Sequence, residues 1–313
     1  MAEISFSREN LNNRTPSYIT HDNSDEINSI DLSLDGTLVL TGALDDTANA
    51  YLVTSGCKEL NYVDKPYGIN NLKFTSNNDI IYSNRKGSVG IIKKISLNDK
   101  SVLWLSNFCH SAPITSIDTG INSNCVSVSK DRVMKLWDLK CDKCIHSTLL
   151  SGANNPKAKF DSSSSIIALI NSISINKNYL KFYDLKKLNE PYYTIEFNQP
   201  PINDFEFSDD GLHILLSTES SCVLLDSFEG VQKRMFYEYK NEGGKSIASL
   251  TENSEFLAVG CENGNKVKVF DTNSGEVVSE LVGHPRTPRR VIWSKHYGVL
   301  FSACHNLVYW AID

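Results

Sequence analysis

Seven positions along the chain share one local pattern, an apolar run that ends in an aromatic residue or in a residue that takes its place. The steps between successive positions are 43, 43, 46, 42, 45 and 40 residues. The seven positions are Tyr51, Lys94, Trp137, Tyr183, Leu225, Phe270 and Trp310. A Trp followed by Asp occurs at one of them, Trp137-Asp138. A period of about 43 residues over nearly the whole chain indicates a repeated structural unit and leaves little room for a separate catalytic domain.

Each repeat contains short runs that are typical of β-strands. In the first repeat these runs are residues 27–32, 37–42 and 48–53, with a turn at 33–36. The runs alternate apolar and polar residues and are bounded by Gly, Asp or Asn, which favours strands joined by tight turns. Repeats of about 40–45 residues that hold four short strands are typical of WD-repeat blades. We therefore predict an all-β, seven-bladed WD-repeat β-propeller.

The seventh repeat shows only three strand-like runs, at residues 290–293, 299–302 and 307–310. A blade without its fourth strand would expose an unpaired edge, which favours aggregation. The apolar residues Tyr18 and Ile19 precede the first repeat and can supply the missing strand. We expect this N-terminal strand to close the ring on the C-terminal blade. The predicted domain organisation is a frayed N-terminus over residues 1–15 and a single propeller over residues 16–313.

Composition and charge narrow the function classes. The chain is 41% hydrophobic and carries a formal net charge of −6, so it lacks the basic footprint of a direct nucleic-acid binder. No apolar run approaches the ~18 residues of a membrane span. Residues 1–13 contain no basic segment followed by an apolar stretch, so no secretory signal is apparent. We expect an intracellular protein that is a monomeric propeller by itself and contacts neither membrane nor nucleic acid directly.

The eight cysteines do not suggest a metal site or disulfides. Cys141 and Cys144 have Cys-x-x-Cys spacing, but a structural zinc needs four ligands, usually with a second close pair. The nearest Cys-His pair, Cys109-His110, is expected at the opposite rim of the third blade. The chain also lacks phosphate-binding glycine loops and the His-Glu-x-x-His pattern. We predict no metal, no cofactor and no catalytic residue; the rival hypothesis is an enzyme with its active site at the channel mouth.

The third repeat carries His110, Ser127, Asp131 and Trp137 in the order that allows one hydrogen-bonded chain. A His, Ser and Asp set can also indicate a hydrolase. The Ser, however, lies within a strand-like run and not on the strained turn that exposes a nucleophile. A buried polar chain is stabilising when every member is satisfied. We therefore interpret the four residues as a structural tetrad.

Two basic clusters stand out against the acidic background. Arg286, Arg289 and Arg290 precede the first strand of the seventh repeat, and Arg85 and Lys86 occupy a turn in the second. Loops of these two kinds lie on one rim of a propeller. Arg binds carboxylates and phosphates through paired hydrogen bonds, so the clusters are candidates for binding an acidic or phosphorylated peptide. Tyr67, which is expected on the same rim, is a candidate aromatic anchor. The alternative is that these are ordinary solvated turn residues.

Irregular features of the chain carry a resemblance to a known family. They include residues 95–100 in place of a regular ending of the second blade, the run Asp226-Ser-Phe-Glu-Gly230, and the short final blade. From about residue 20 to residue 313 the chain resembles the WD repeat-containing protein 82 family, propeller subunits of COMPASS-type histone methyltransferase complexes. The chain departs from that family at Leu52, at Lys94 and over residues 150–159 and 171–178.

The resemblance implies a non-catalytic scaffold in the nucleus. It implies as partners the catalytic subunit and other subunits of a histone lysine methyltransferase complex, and the phosphorylated tail of transcribing RNA polymerase II. The family also serves in phosphatase and RNA 3′-end-processing assemblies. The alternative is a generic propeller adaptor, such as a substrate receptor of a ubiquitin ligase.

Overall fold

The computed structural model describes residues 11, 14–152, 154–174, 177–198, 202–237, 246–294 and 296–311. These residues form twenty-eight strands in seven four-stranded antiparallel sheets. In six sheets the strands follow one another in chain order, and the seventh is completed by the N-terminal strand. The predicted all-β, seven-bladed propeller is confirmed.

The blades are numbered in chain order, and each contains three or four consecutive strands. The strands of blades one to three are β2 (Ile27–Leu32), β3 (Leu38–Ala43), β4 (Thr47–Leu52) and β5 (Lys58–Val63); β6 (Asn70–Phe74), β7 (Ile80–Ser83), β8 (Gly90–Ile95) and β9 (Val102–His110); β10 (Ile114–Thr119), β11 (Asn124–Ser129), β12 (Val133–Asp138) and β13 (Lys143–Leu149).

Blades four to seven repeat this arrangement. Their strands are β14 (Asn154–Phe160), β15 (Ile166–Ser174), β16 (Lys177–Asp184) and β17 (Tyr193–Phe197); β18 (Asp204–Phe207), β19 (His213–Ser217), β20 (Cys222–Asp226) and β21 (Gln232–Phe236); β22 (Ser249–Leu250), β23 (Phe256–Cys261), β24 (Lys266–Asp271) and β25 (Val277–Val282); β26 (Arg290–Trp293), β27 (Leu300–Ala303) and β28 (Leu307–Ala311), to which β1 (Thr15–Ile19) is added.

The periodic positions read from the sequence occupy equivalent places in the fold. Each of the seven lies near the C-terminal end of the third strand of its blade, from Tyr51 in β4 to Trp310 in β28. Their side chains are all buried. Lys94 takes this place in blade two, and its Nζ donates to the carbonyl oxygen of Leu139 at 2.9 Å and to Asp142 Oδ1 at 2.7 Å. A residue that departs from the family pattern therefore joins blade two to blade three.

Strand β1 closes the ring by antiparallel pairing with β28, with Thr15 opposite Ala311 and Ile19 opposite Val308. Arg14 precedes this strand, is buried, and donates to the carbonyl oxygens of Trp310 at 2.9 Å and Gly298 at 2.8 Å. Arg14 and Thr15, which the sequence places in the frayed terminus, therefore contact the last blade. Residues 1–10, 12 and 13 of that predicted segment lie outside the described residues.

The hydrophobic core lies between the blades. In the described part of the chain, one buried cluster fills each of the seven gaps between neighbouring sheets. The cluster that joins blade seven to blade one includes Ile27, Tyr51 and Phe301. The ring is held by these side-chain contacts, because main-chain hydrogen bonds run mostly within each blade.

Blade four has the longest central hairpin among the described blades. Strands β15 and β16 span nine and eight residues and remain paired as far as Ser174 opposite Lys177. This hairpin contains most of the divergent segment 171–178, of which residues 175 and 176 lie outside the described residues. The departure from the family pattern is therefore compatible with a regular blade.

A candidate protein-binding face

The two faces of the propeller carry different loops. We call upper the face that holds the loops leading into the first strands and the turns between second and third strands. In blade one these two segments touch, since the amide of Leu44 donates to the carbonyl oxygen of Glu26 at 2.8 Å. We call lower the face that holds the remaining turns, where the amide of Val53 donates to the carbonyl oxygen of Thr37 at 2.9 Å.

Tyr67, Arg85 and Lys86 lie together on the upper face. The amides of Arg85 and Lys86 both donate to the carbonyl oxygen of Tyr67, at 3.0 and 2.8 Å. The Tyr67 ring is only partly exposed, and Lys93 Nζ lies 3.9 Å from its centroid. The same Nζ donates to Asp64 Oδ2 at 2.6 Å. Tyr67 is therefore fixed by a cation–π contact, which leaves less of its ring for a partner than the sequence suggested.

Asp46 balances the charge of this cluster. Its Oδ1 accepts a hydrogen bond of 2.5 Å from Arg85, and its Oδ2 accepts one from Lys86 Nζ. Burial raises the pKa of Asp46, but the hydrogen bonds from Lys86 and Arg85 outweigh burial and hold that pKa below its ordinary value. Asp46 is thus ionised at neutral pH. The sequence showed Asp46 only as a turn residue, because its cationic partners lie about 40 residues further along the chain.

Arg286 and Arg289 form the second part of the upper-face cluster. Arg289 Nη1 lies 3.3 Å from Glu26 Oε1, and Arg286 Nη1 lies 3.0 Å from His305 Nε2. Within the described residues, Arg286 has no carboxylate in ion-pair contact. The loop that carries these residues packs closely on blade six, where a Cβ on Gly260 would lie 1.6 Å from the carbonyl oxygen of Pro288.

The two clusters flank blade one on a single face. Glu26 binds Arg289 through its side chain and Leu44 through its carbonyl oxygen. The carbonyl oxygen of Leu44 in turn accepts a 3.0 Å hydrogen bond from Arg85 Nη2. We call Arg85, Lys86, Arg286 and Arg289 the basic arc. Among the described residues, the four cations of the arc share two carboxylates in ion-pair contact, Asp46 and Glu26.

Arg290 does not belong to this arc. It opens β26 and lines the upper part of the central channel, a cavity of about 430 Å³. Its Nε donates to the carbonyl oxygen of Asn28 at 2.8 Å, and burial lowers its pKa. The residue was expected on the rim. It lies in the channel because the first strand of every blade lines the channel, and Arg290 is the first residue of such a strand.

Alternating charges line the channel. Lys73 Nζ lies 2.8 Å from Asp31 Oδ1 and 3.6 Å from Asp118 Oδ1. Burial lowers the pKa of Lys73, but Asp31 and Asp118 outweigh it and raise that pKa. Lys159 Nζ lies 3.2 Å from Asp204 Oδ2. These ion pairs connect first strands of different blades and stabilise the ring from inside.

The tetrad residues of blade three form one chain of contacts. His110 Nδ1 lies 3.0 Å from Asp131 Oδ2 and His110 Nε2 lies 2.9 Å from Ser127 Oγ, which accepts a 2.9 Å hydrogen bond from Trp137 Nε1. Burial lowers the pKa of His110, which keeps the ring neutral despite Asp131. Ser127 and His110 are buried at 0% and 1% exposure, so they cannot meet a substrate.

Blade seven contains a second such chain, which the sequence analysis missed. His284 Nε2 lies 2.6 Å from Ser302 Oγ, and Ser302 Oγ accepts a 2.7 Å hydrogen bond from Trp310 Nε1. His284 Nδ1 faces Cys304 Sγ at 3.3 Å, where blade three has a carboxylate. The order His, Ser, Trp was visible in the sequence. It was missed because this blade has no Trp-Asp pair.

The described residues contain no group of three or more His, Cys, Asp or Glu side chains that could hold a metal ion. Cys141 and Cys144 are exposed and free, while Cys109 is buried. Within the same ranges, no helix has the length and apolar character needed to cross a membrane.

These sheets, their central channel and their buried His–Ser–Trp chains define a WD-repeat β-propeller. Residues 13–51 and 104–138 match the family described as WD domain, G-beta repeat. The chain is 31% identical over 300 residues to WD repeat-containing protein 82 of Drosophila melanogaster, which covers 93% of this chain and 92% of that relative. The chain therefore belongs to the WD repeat-containing protein 82 family.

Two further relatives are fungal. Over 312 residues the chain is 26% identical to COMPASS component SWD2 of Saccharomyces cerevisiae, covering 92% of this chain and 91% of that protein. Over 213 residues it is 28% identical to Set1 complex component swd2 of Schizosaccharomyces pombe, covering 66% of this chain and 58% of that protein.

Proposed function

We propose that the protein is a non-catalytic scaffold subunit of a nuclear COMPASS-type histone lysine methyltransferase complex. The observation that carries this proposal is similarity to relatives whose names place them in COMPASS and Set1 complexes, over 92% of the chain for COMPASS component SWD2 and over 66% for Set1 complex component swd2. A rigid ring with seven buried inter-blade clusters, counted over the described residues, supports a role in presenting loops to partners.

Purification of the tagged protein from nuclei, followed by mass spectrometry, tests this role. The expected result is co-purification of a SET-domain methyltransferase and other subunits of its complex. Cullin-linked partners in their place would support the ubiquitin-ligase alternative. Phosphatase or RNA 3′-end-processing factors would place the scaffold in a different assembly.

The finer part of the proposal is that the basic arc links the complex to the phosphorylated tail of transcribing RNA polymerase II. Phosphoserine adds a charge of about −1.5 to −2 and three strong acceptor oxygens. Arg286 has no carboxylate in ion-pair contact among the described residues, so its guanidinium can form a charge-assisted pair without displacing an existing one. Arg289 and Arg85 would have to share their present carboxylate partners. Arg286 should therefore contribute most to phosphopeptide binding.

Fluorescence anisotropy with a synthetic tail peptide, in phosphorylated and unphosphorylated form, tests this contact. We expect Arg286→Glu to weaken binding of the phosphorylated peptide by at least about tenfold, because it removes one charge-assisted pair and adds repulsion. Arg289→Glu should have a smaller effect. Lys143→Glu is the matched control, since Lys143 is an exposed cation on the outer strand β13. Equal loss in the control, or undiminished binding by the double variant Arg286→Glu/Arg289→Glu, contradicts the proposal.

A further inference from the structure

A cleft of about 660 Å³ opens on the lower face between blades four and five. Five aromatic rings line it: Phe182, Tyr192, Tyr193, Phe207 and Phe228. The first three belong to blade four and the other two to blade five. The cleft is remote from the basic arc, which lies on the opposite face around blade one. Nothing in the proposed scaffold function accounts for it.

Three of these aromatic side chains are exposed to solvent. Phe228 is 71% exposed, Tyr192 is 58% exposed and Tyr193 is 40% exposed. Contiguous exposed aromatic surface in a soluble domain is typical of binding sites, because burying it on a partner recovers free energy that folding leaves unused. These rings therefore indicate a docking surface.

The aromatic side chains of the cleft are positioned by contacts with one another and with the turn of blade five. The ring of Phe182 stacks on that of Tyr193 with centroids 6.0 Å apart, and Tyr192 lies 6.3 Å from Phe182. Tyr193 Oη donates to the carbonyl oxygen of Glu229 at 3.4 Å, which joins blade four to the turn of blade five. The site is thus preformed, and a ligand would not have to order it.

The polar lining of the cleft is acidic. Its charged members are Asp161, Asp210 and Glu229, and no Lys or Arg is among the described residues that line it. Asp161 accepts from neutral donors, such as the Ser163 hydroxyl at 2.6 Å and the Ile166 amide at 2.8 Å. Its charge is therefore not neutralised by a neighbouring cation in these contacts.

Two basic groups close to Asp210, namely His213 and Lys233, leave the negative charge of the cleft largely intact. His213 Nδ1 lies 3.8 Å from Asp210 Oδ2, but burial and Lys233 lower the pKa of His213, so the ring is neutral at physiological pH. Lys233 itself pairs with Asp226 at 3.1 Å. The cleft thus combines aromatic faces with net negative charge.

We propose that this cleft binds a basic segment of a partner protein, with an Arg or Lys side chain against the rings of Tyr192 and Phe228 and its head group directed to the carboxylates. Aromatic faces attract cations, and the aliphatic stem of a long basic side chain covers apolar surface. An acidic segment would be repelled. A purely apolar segment would bury these negative charges without a cationic partner, which is unfavourable.

Fluorescence anisotropy on the purified 313-residue chain tests this site with defined probes. The first is a fluorescein-labelled peptide, Gly-Ser-Leu-Arg-Leu-Arg-Gly-Ser; in the second, glutamate replaces both arginines, and in the third, citrulline does. We expect saturable binding of the arginine peptide only. Phe228→Ala should weaken it at least about fivefold, in line with the loss of one aromatic anchor, and Glu229→Gln about threefold. Raising the salt concentration should weaken binding further.

Matched controls separate the cleft from general surface effects. Leu149→Ala removes an exposed apolar side chain of blade three, and Glu219→Gln removes an exposed carboxylate from the upper turn of blade five. Both should bind the arginine peptide like the wild type. The variant Arg286→Glu/Arg289→Glu should do so as well, so failure here and failure of the phosphopeptide proposal are distinguishable. Binding of the citrulline peptide with equal affinity, or wild-type binding by Phe228→Ala/Glu229→Gln, overturns the inference.

Discussion

We predict that protonation of His284 lowers the free energy of unfolding, because the hydrogen-bonded chain of blade seven contains a neutral imidazole. Ser302 Oγ accepts from Trp310 Nε1, and its own hydroxyl proton is available to His284 Nε2, which lies 2.6 Å away. In the tautomer that accepts this proton, His284 Nδ1 carries the ring proton and faces Cys304 Sγ. A second proton on Nε2 would oppose the Ser302 hydroxyl. Burial of the ring lowers the pKa of His284 to about 4, because it disfavours the charged form.

The sign and size of the effect follow from linkage. The pKa of His284 in the folded state is lower than the ~6.5 of an unfolded histidine, so the unfolded chain binds more protons between these values. The contribution to stability is fully present above about pH 6.5 and is lost as the pH falls toward 4. A shift of this size corresponds to about 3 kcal/mol over the full range, of which about 2 kcal/mol is lost by pH 5.

Urea unfolding of the wild type and of His284→Gln at pH 7.5 and pH 5.0 isolates this contribution. Carboxylates and His110 titrate in both proteins, so their effects cancel in the difference between the two. We expect the wild type to lose about 2 kcal/mol more than the variant between the two pH values. His21→Gln, which removes an exposed histidine, is the matched control. If the free-energy difference between wild type and His284→Gln is the same at both pH values, the reasoning is refuted.

Three further perturbations probe the ring. Deleting residues 1–20 removes β1, and we expect the melting temperature to fall by about 10 °C or more, whereas an unchanged thermal melt would show that closure by β1 adds nothing. Ser127→Ala leaves His110 Nε2 and Trp137 Nε1 without their shared hydroxyl partner, while His110 Nδ1 keeps Asp131, and should cost about 3 kcal/mol in urea unfolding; a loss below about 0.5 kcal/mol would contradict the tetrad's structural role. Lys94→Met should cost about 2 kcal/mol, and a double-mutant cycle with Asp142→Asn should show coupling. Additive effects in that cycle would show that the contact between blades two and three does not contribute.

Parts of the candidate site could be predicted because they depend on chain order within one blade. Ser127 and Trp137 lie on adjacent strands joined by a tight turn, so their approach follows from the hairpin. The upper-face position of Arg85 and Lys86 could also be predicted, because they lie in the turn between the second and third strands of their blade. The position of Arg290 in the channel could not be predicted from the sequence. Arg290 is the first residue of β26, and a strand boundary moved by one residue would have left it in the preceding loop.

By itself the sequence determined the repeat, the number of blades, the strands and the pairing of the N-terminal strand with the last blade. The strands and turns are encoded locally, because alternating burial and turn residues act over fewer than ten residues. The pairing of β1 with β28 joins opposite ends of the chain, and it was predictable because the seventh repeat lacks a fourth strand. Only the tertiary structure decided which charges meet across blades, such as Asp46 with Arg85 and Lys86. It likewise brought Tyr192 and Phe228 to opposite sides of one cleft. Such contacts join residues about 40 positions apart, and the way neighbouring sheets pack decides which of them meet.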